Sequence, residues 1–210
     1  MTDQRFPTPA LGDADIVPRF EFRVWGFDLG PVGDQIVAMG GPPRLGETVE
    51  VYLPVRNALD INPKIRRSIL DVKVLLATVD GFEQWVPRLK CVLPVSLAQL
   101  VDEFFPIVGL DPPALARPSY EAETLVSEVA NPHPDLAAAV VMKTRRLYRI
   151  DGCTAEISTI GIGTAVHQTV AIESTHLDVL GRLRAQLGLE QRANHSYPRM
   201  IQQVQGWIED

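Results

Sequence analysis

In the stretch RFEFRVW, residues 19–25, charge alternates with bulk. Arg19, Glu21 and Arg23 fall on one side of an extended chain, and Phe20, Phe22 and Val24 on the other. The same device recurs at Lys64 and Arg66, at Lys73, at Arg88 and Lys90, and at Lys143 and Arg145. Those nine bases are matched on the same or corresponding faces by only Glu21, Asp71, Glu156 and Glu173. The set therefore sums to +5, and the rest of the chain to −11, within a net charge of −6. A globally acidic chain with a local surplus of cations suits a small polyanion better than a nucleic-acid surface. Arginine offers forked contacts to phosphate oxygens and lysine a point charge. The plainer alternative is an antiparallel sheet whose charged face is merely wet. Two features weigh against it: the signs are lopsided rather than mixed, and the bases come from at least five strands, which closure of the sheet would make converge.

Positioning these side chains requires strands, and the periodicity supplies them. Residues 18–26 read as the first, and 47–56 as the second, with Val49, Val51, Leu53 and Val55 opposite Thr48, Glu50 and Tyr52. KIRR and LDVKVLLATV place their charges on opposite parities, so a turn or bulge is expected near Arg67–Leu70. EQWVPRLKCVLP sets Gln84, Arg88 and Lys90 against Trp85, Leu89, Cys91 and Leu93. Three further strands start at about residue 138, broken by the hairpin signal Asp151–Gly152 and by GIGT.

Between and after the strands, four helices are expected. One spans 96–105, capped by Ser96 and ended by Pro106, and one spans 119–130, capped by Ser119. A third has Thr175 and Asp178 as an acidic capping box and stops at Gly188. The last starts near Ser196 and buries Tyr197, Ile201, Val204 and Ile208. The glycine- and proline-rich FDLGPVGDQIVAMGGPPRLGE reads mostly as loop, and its glycines lack the strand–loop–helix context of a phosphate-cradling loop. No linker or repeat divides the chain, so the expectation is a flexible segment at 1–17 and one α+β domain at 18–210.

Other features bound the function. No apolar run approaches the roughly 20 residues of a membrane span, and the acidic, proline-broken start is unlike a secretory signal. Cys91 and Cys153 have no metal-type spacing and read as core thiols in a reducing, cytoplasmic setting. The four histidines form no ligand pair, so zinc is not expected, and His167 reads as a polar face residue. Trp25, Trp85 and Trp207 read as core anchors. Tyr148 fits either a pocket rim or ordinary packing.

The order of these features resembles the CYTH superfamily of triphosphate tunnel metalloenzymes and class IV adenylyl cyclases. An acid-bearing RFEFRVW precedes the basic KIRR, LDVKVL and PRLKCVLP; KTRRLY follows; then come the hairpin CTAEISTIGIGTAVHQTVAIES, a helix ending LGL and a helix opening NHSYPRMI. The resemblance implies an antiparallel eight-stranded barrel, closed or nearly so, with flanking helices. It implies that the nine bases bind a triphosphate, and that Glu21, Glu156 and Glu173 hold a divalent metal, Mg2+ or Mn2+, and carry catalysis. The partner would be a small phosphorylated anion (inorganic triphosphate, polyphosphate or a nucleoside triphosphate); nucleic acid and membrane are not expected, and a homodimer is an open option.

One departure bears on the chemistry. The family's first-strand signature, Glu-x-Glu-x-Lys, falls here on Arg19, Glu21 and Arg23. Arginine cannot ligate a metal, and at about 4 Å from one it would cost several kcal/mol. Magnesium often takes only one or two carboxylates, so a reduced site remains an option. Three functions therefore stand side by side: a metal-dependent triphosphatase, a non-catalytic polyphosphate- or nucleotide-binding module, and a protein-interaction domain with a solvated charged sheet.

Overall fold

Strands with one ionic and one apolar face must hide the apolar side, and the computed structural model, which describes residues 18–209, closes them with the ionic side inward. Eight antiparallel strands form the barrel: β1 (Arg19–Trp25), β2 (Arg44–Tyr52), β3 (Ile61–Arg66), β4 (Ile69–Val79), β5 (Phe82–Val92), β8 (Ala139–Ile150), β9 (Cys153–Ile162) and β10 (Ala165–Ser174). The ring runs β1-β10-β9-β8-β2-β3-β4-β5 and returns to β1. It is thus two meanders, β2 to β5 and β8 to β10, sutured by the β2–β8 pairing on one side and by β1 on the other. Two-residue strands β6 (Val95–Ser96) and β7 (Ser119–Tyr120) form a separate ladder. The expected α+β class and closed eight-stranded barrel are what the chain forms. The expectation of a flexible segment at 1–17 falls outside the described residues.

Short turns set the register. Arg67–Ser68, Asp80–Gly81 and Asp151–Gly152 each place two consecutive residues at positive φ, the two-residue hairpin geometry that matches strand twist. The first is the expected register change between Arg67 and Leu70. Along β5 the alternation is interrupted: Val72 pairs with Leu89 and Lys73 with Pro87. Arg88 is the extra residue of a bulge, which moves Trp85 and Pro87 onto the same face as Lys90.

The apolar core lies outside the barrel wall, between it and the helices. Over β3, β4 and β5 it includes Leu70, Val72, Leu89, Phe104 and Phe105, covered by α2 (Leu97–Gln99, continued by a π-helical Leu100–Phe104 and Phe105–Val108) and α3 (Ala122–Thr124, continued by a π-helical Leu125–Ala130). A second apolar layer includes Phe22, Ile36, Tyr148, Ile172 and Leu180, beneath α1 (Gly30–Gly40) and α4 (Leu177–Gln186). Cys91 and Cys153 are buried free thiols in these layers. Among the described residues no helix is long and apolar enough to cross a membrane.

Several local expectations need correcting. The segment read as loop holds α1, because Pro31 is tolerated in the first turn and Leu29, Gly33 and Ile36 make a buried stripe that the glycines disguise. β2 starts at Arg44 and ends at Tyr52, and Val49 is exposed on its outer face. Ser96 caps α2 with a full capping box to Gln99, yet Pro106 does not end it. The preceding π turn, where the Phe105 N–H reaches the Leu100 carbonyl, absorbs the proline, and Gly109 in the left-handed region closes the helix. Ser119 lies in β7 and Glu121 precedes α3; His176, rather than Thr175, stands at the start of α4. In the terminal α5 (Tyr197–Val204), Tyr197 and Ile201 are buried, but Val204 is exposed and Ile208 lies past the end. Trp207 is stacked by the Arg56 guanidinium at 4.4 Å, and Tyr148 packs outside the barrel against Gly40.

That last contact is testable. A Cβ on Gly40 would stand 2.6 Å from the Tyr148 Cβ, which cannot swing away. Gly40→Ala should lower stability by about 1–3 kcal/mol in denaturant unfolding despite alanine's better helix propensity. Unchanged or higher stability would show that α1 does not dock there.

Candidate functional site: a blind basic tunnel

Alternation along seven strands, and along β5 with its bulge, delivers the charged residues to one space, a cavity of about 540 Å³ inside the barrel. Its lining holds ten lysines and arginines against four glutamates, a surplus of six positive charges. Of the residues proposed from sequence, Arg19, Glu21, Arg23, Lys64, Arg66, Lys73, Lys90, Lys143, Arg145, Glu156 and Glu173 all line it. Arg88 does not: it occupies the bulge, and its Nε is buried without a hydrogen-bond partner. Trp85, expected as a core anchor, instead lines the cavity and donates its Nε1–H to Glu83 (3.0 Å).

One end is closed by aromatic packing. Tyr197, the first residue of α5, stacks on Tyr52 (5.4 Å, 23°) and meets Trp25 edge-on (5.2 Å), over Val141, Ile160 and Ile201. His167 takes no part in the cavity lining; its ring packs on Trp25. Toward the other end Arg19, Arg44, Lys90 and Arg149 are exposed. The space is therefore a cup, with its most buried charges at the aromatic floor.

The carboxylates are all engaged. At the rim Arg19 Nη1 reaches Glu173 Oε1 (2.8 Å). Deeper, Arg23 bridges Glu21 (Nε to Oε1, 2.9 Å) and Glu156 (Nη1 to Oε1, 3.3 Å), and Arg145 approaches the other oxygen of Glu156 (3.8 Å). Burial opposes ionisation of Glu156, but Arg23 and the Ser158 hydroxyl prevail and hold its carboxyl below the usual range. Near the floor lies a carboxylate that the strand charges alone did not single out: Glu50, fully buried, accepts from Lys143 Nζ (2.9 Å) and Lys64 Nζ (3.3 Å), with Arg66 Nη1 3.8 Å away. Burial works against it too, yet Lys143 and Lys64 pull its pKa down to about 2. Lys143 also donates to the Tyr52 hydroxyl (2.7 Å) and sits 3.9 Å over the Tyr197 ring. Burial, then repulsion from Lys64, pushes Lys143 down to about 7 despite Glu50.

This donor set does not fit the expected metal. Among the described residues no three histidine, cysteine, aspartate or glutamate side chains converge to hold an ion. Glu21, Glu156 and Glu173 are each bonded to an arginine, and Arg19 stands where the signature would put a further acid. A hard divalent cation needs clustered oxygens, whereas guanidinium groups hold these apart. What the arrangement does offer an anion is unfilled donor capacity: the Nε of Arg145 is buried and without a hydrogen bond, and Lys64 has only one long contact.

The functional residues missing from the sequence reading were Glu50, Tyr52 and Tyr197 together with Arg44 and Arg149. Parity was the available signal: Glu50 and Tyr52 share a face with Arg44, and Arg149 continues the face of Lys143 and Arg145. Glu50's depressed pKa has a consequence for stability. Its contribution is complete above the unfolded value of 4.5 and is lost as pH falls to about 2. Glu50→Gln should cost about 3 kcal/mol at neutral pH and flatten the acid limb of a stability–pH profile. An unchanged profile would mean that Glu50 is not ion-paired.

No family model matches the chain, and no curated protein matches it in sequence. Solved structures do resemble it. PH1012 from Pyrococcus horikoshii is 14% identical over 87% of this chain and 99% of its own, with a TM-score of 0.50. A provisional adenylate cyclase from Bacillus halodurans is 8% identical over 87% and 97%, with a TM-score of 0.46. The RNA triphosphatase Pct1 of S. pombe, in complex with the Spt5 CTD, is 13% identical over 89% and 73%, with a TM-score of 0.32. The first is a likeness of overall fold alone, and the other two are too distant to carry an argument.

Proposed function

We propose that the chain is a divergent CYTH-type barrel that binds a linear triphosphate or polyphosphate group, free or on a nucleotide, without a carboxylate-held metal. The supporting observation is the surplus of six positive charges around a 540 Å³ cup in which every glutamate is already neutralised by a base. Unpaired buried cations are costly, so a folded chain that retains this surplus gains from an anion that replaces lost hydration. Arg145 and Arg23 supply planar forks, and Lys64, Lys73 and Lys143 point charges, in the mixture a chain of tetrahedral phosphates can use.

Hydrolysis is the second reading, and Glu21 is the observation in its favour. Its carboxylate lies in the cavity, is partly exposed, and keeps the position of the middle acid of the family signature. The two readings part on metal. In the binding reading, tripolyphosphate with EDTA present, at about a hundredfold excess over Kd, raises the melting temperature by about 5–10 °C. The double charge reversal Lys73→Glu, Arg145→Glu weakens that binding by about 100-fold. A melting temperature that no linear polyanion moves would refute the tunnel reading. Phosphate release that needs Mg2+ or Mn2+ and disappears in Glu21→Ala would return the glutamates to a catalytic role.

A further inference from the structure

The floor of the cup has an unusual ratio of charges. Three cations, Lys143, Lys64 and Arg66, address one buried carboxylate, Glu50, whereas the ion-pair partners of the other lining glutamates are all arginines. Two further facts show that Glu50 fills this place incompletely. Its Oε1 accepts no hydrogen bond although it is buried, and Lys64 reaches Oε2 only at a long 3.3 Å. A carboxylate has two oxygens in one plane; three converging donors match a terminal phosphoryl group, with its three oxygens, better. All four residues line the cavity, so an entering anion can reach them.

We propose that Glu50 is a resident counter-ion that occupies the deepest anion subsite and is displaced from Lys143 and Lys64 when the terminal phosphate of the ligand reaches the floor. Glu50 thereby sets the affinity: it keeps the empty barrel folded by neutralising the floor, and each ligand must break its two lysine contacts. The aromatic walls Tyr52 and Tyr197 hold Lys143 in place during the exchange through the Tyr52 hydroxyl and the Tyr197 ring. Burial, and then repulsion from Lys64, keeps the Lys143 pKa low even with Glu50 in place. This inference rests on the tunnel reading and adds to it a residue that opposes the ligand.

The test is calorimetric titration of tripolyphosphate, in EDTA, into the wild-type protein, Glu50→Gln and Glu47→Gln. Glu47 lies on the same strand but is exposed, so its loss removes an equal charge away from the floor. Glu50→Gln is expected to bind about tenfold more tightly than wild type, with Glu47→Gln within about twofold. Wild-type binding with no gain in Glu50→Gln overturns the resident counter-ion and leaves the tunnel reading standing. An equal gain in Glu47→Gln also overturns it, because the effect is then net charge alone. Absence of binding in all three overturns both. If Glu50→Gln does not fold, Glu50→Asp, which withdraws the carboxylate by one methylene, must bind more tightly than wild type; equal or weaker binding overturns the inference.

Discussion

A closed barrel cannot hold a ring of unpaired cations, and nearly everything in this structure follows from how that constraint is met. Closing the sheet brings ten bases around one cavity; Arg19, Arg44, Lys90 and Arg149 stay exposed at its mouth, while desolvation and mutual repulsion of the deeper ones oppose folding. Internal glutamates relieve part of the cost, Glu173 at the rim, Glu21 and Glu156 in the middle and Glu50 at the floor. The charge left over is positive, and at Lys143 burial, followed by repulsion from Lys64, lowers the pKa to about 7. The same glutamates that make the empty protein tolerable are, for that reason, poor metal ligands. Their oxygens are already spent on guanidinium and ammonium groups.

The fold offsets this interior by placing its apolar layers on the other side of the wall. Phe22, Ile36 and Leu180 in one layer, and Leu70, Phe104 and Phe105 in the other, are almost wholly buried. Burying a large apolar side chain contributes about 1.5–3 kcal/mol, which is the scale needed against strained charges within. The end of the barrel is sealed by α5, whose first residue serves both purposes. Tyr197 packs into the apolar cluster and presents its ring to Arg23 at 4.6 Å and Lys143 at 3.9 Å. Apolar packing and contact with the inward cations thus meet in one residue, through its apolar body and its negative face.

How much of this was readable in advance depends on whether a signal was local. Parity on β1, β3, β4 and β8 placed Arg19 through Arg145 on common faces, because period-two alternation is a property of the chain itself. The asparate-glycine turn at 151–152 was equally local. Arg88 and Trp85 were misassigned because a bulge inverts parity and leaves no mark in composition. Helix α1 was hidden by its glycines, of which Gly40 lets the helix lie on Tyr148 because it has no side chain. Glu50 shared its face with Thr48 and Tyr52, neither charged, and its importance arises only where β2 meets β3 and β8 across the ladder. The Arg19–Glu173 and Arg23–Glu156 pairs join residues far apart in sequence, so the engagement of each glutamate by an arginine became visible only in three dimensions.

The central claim is that inward cations from separate strands form one anion site. Its most direct test is a crystal structure of the protein grown with tripolyphosphate and EDTA. The account predicts phosphate density inside the barrel, within hydrogen-bonding distance of Arg145 and Lys73 and with one end at Lys143. Density confined to the outer surface, with the barrel interior filled by water alone, would contradict it.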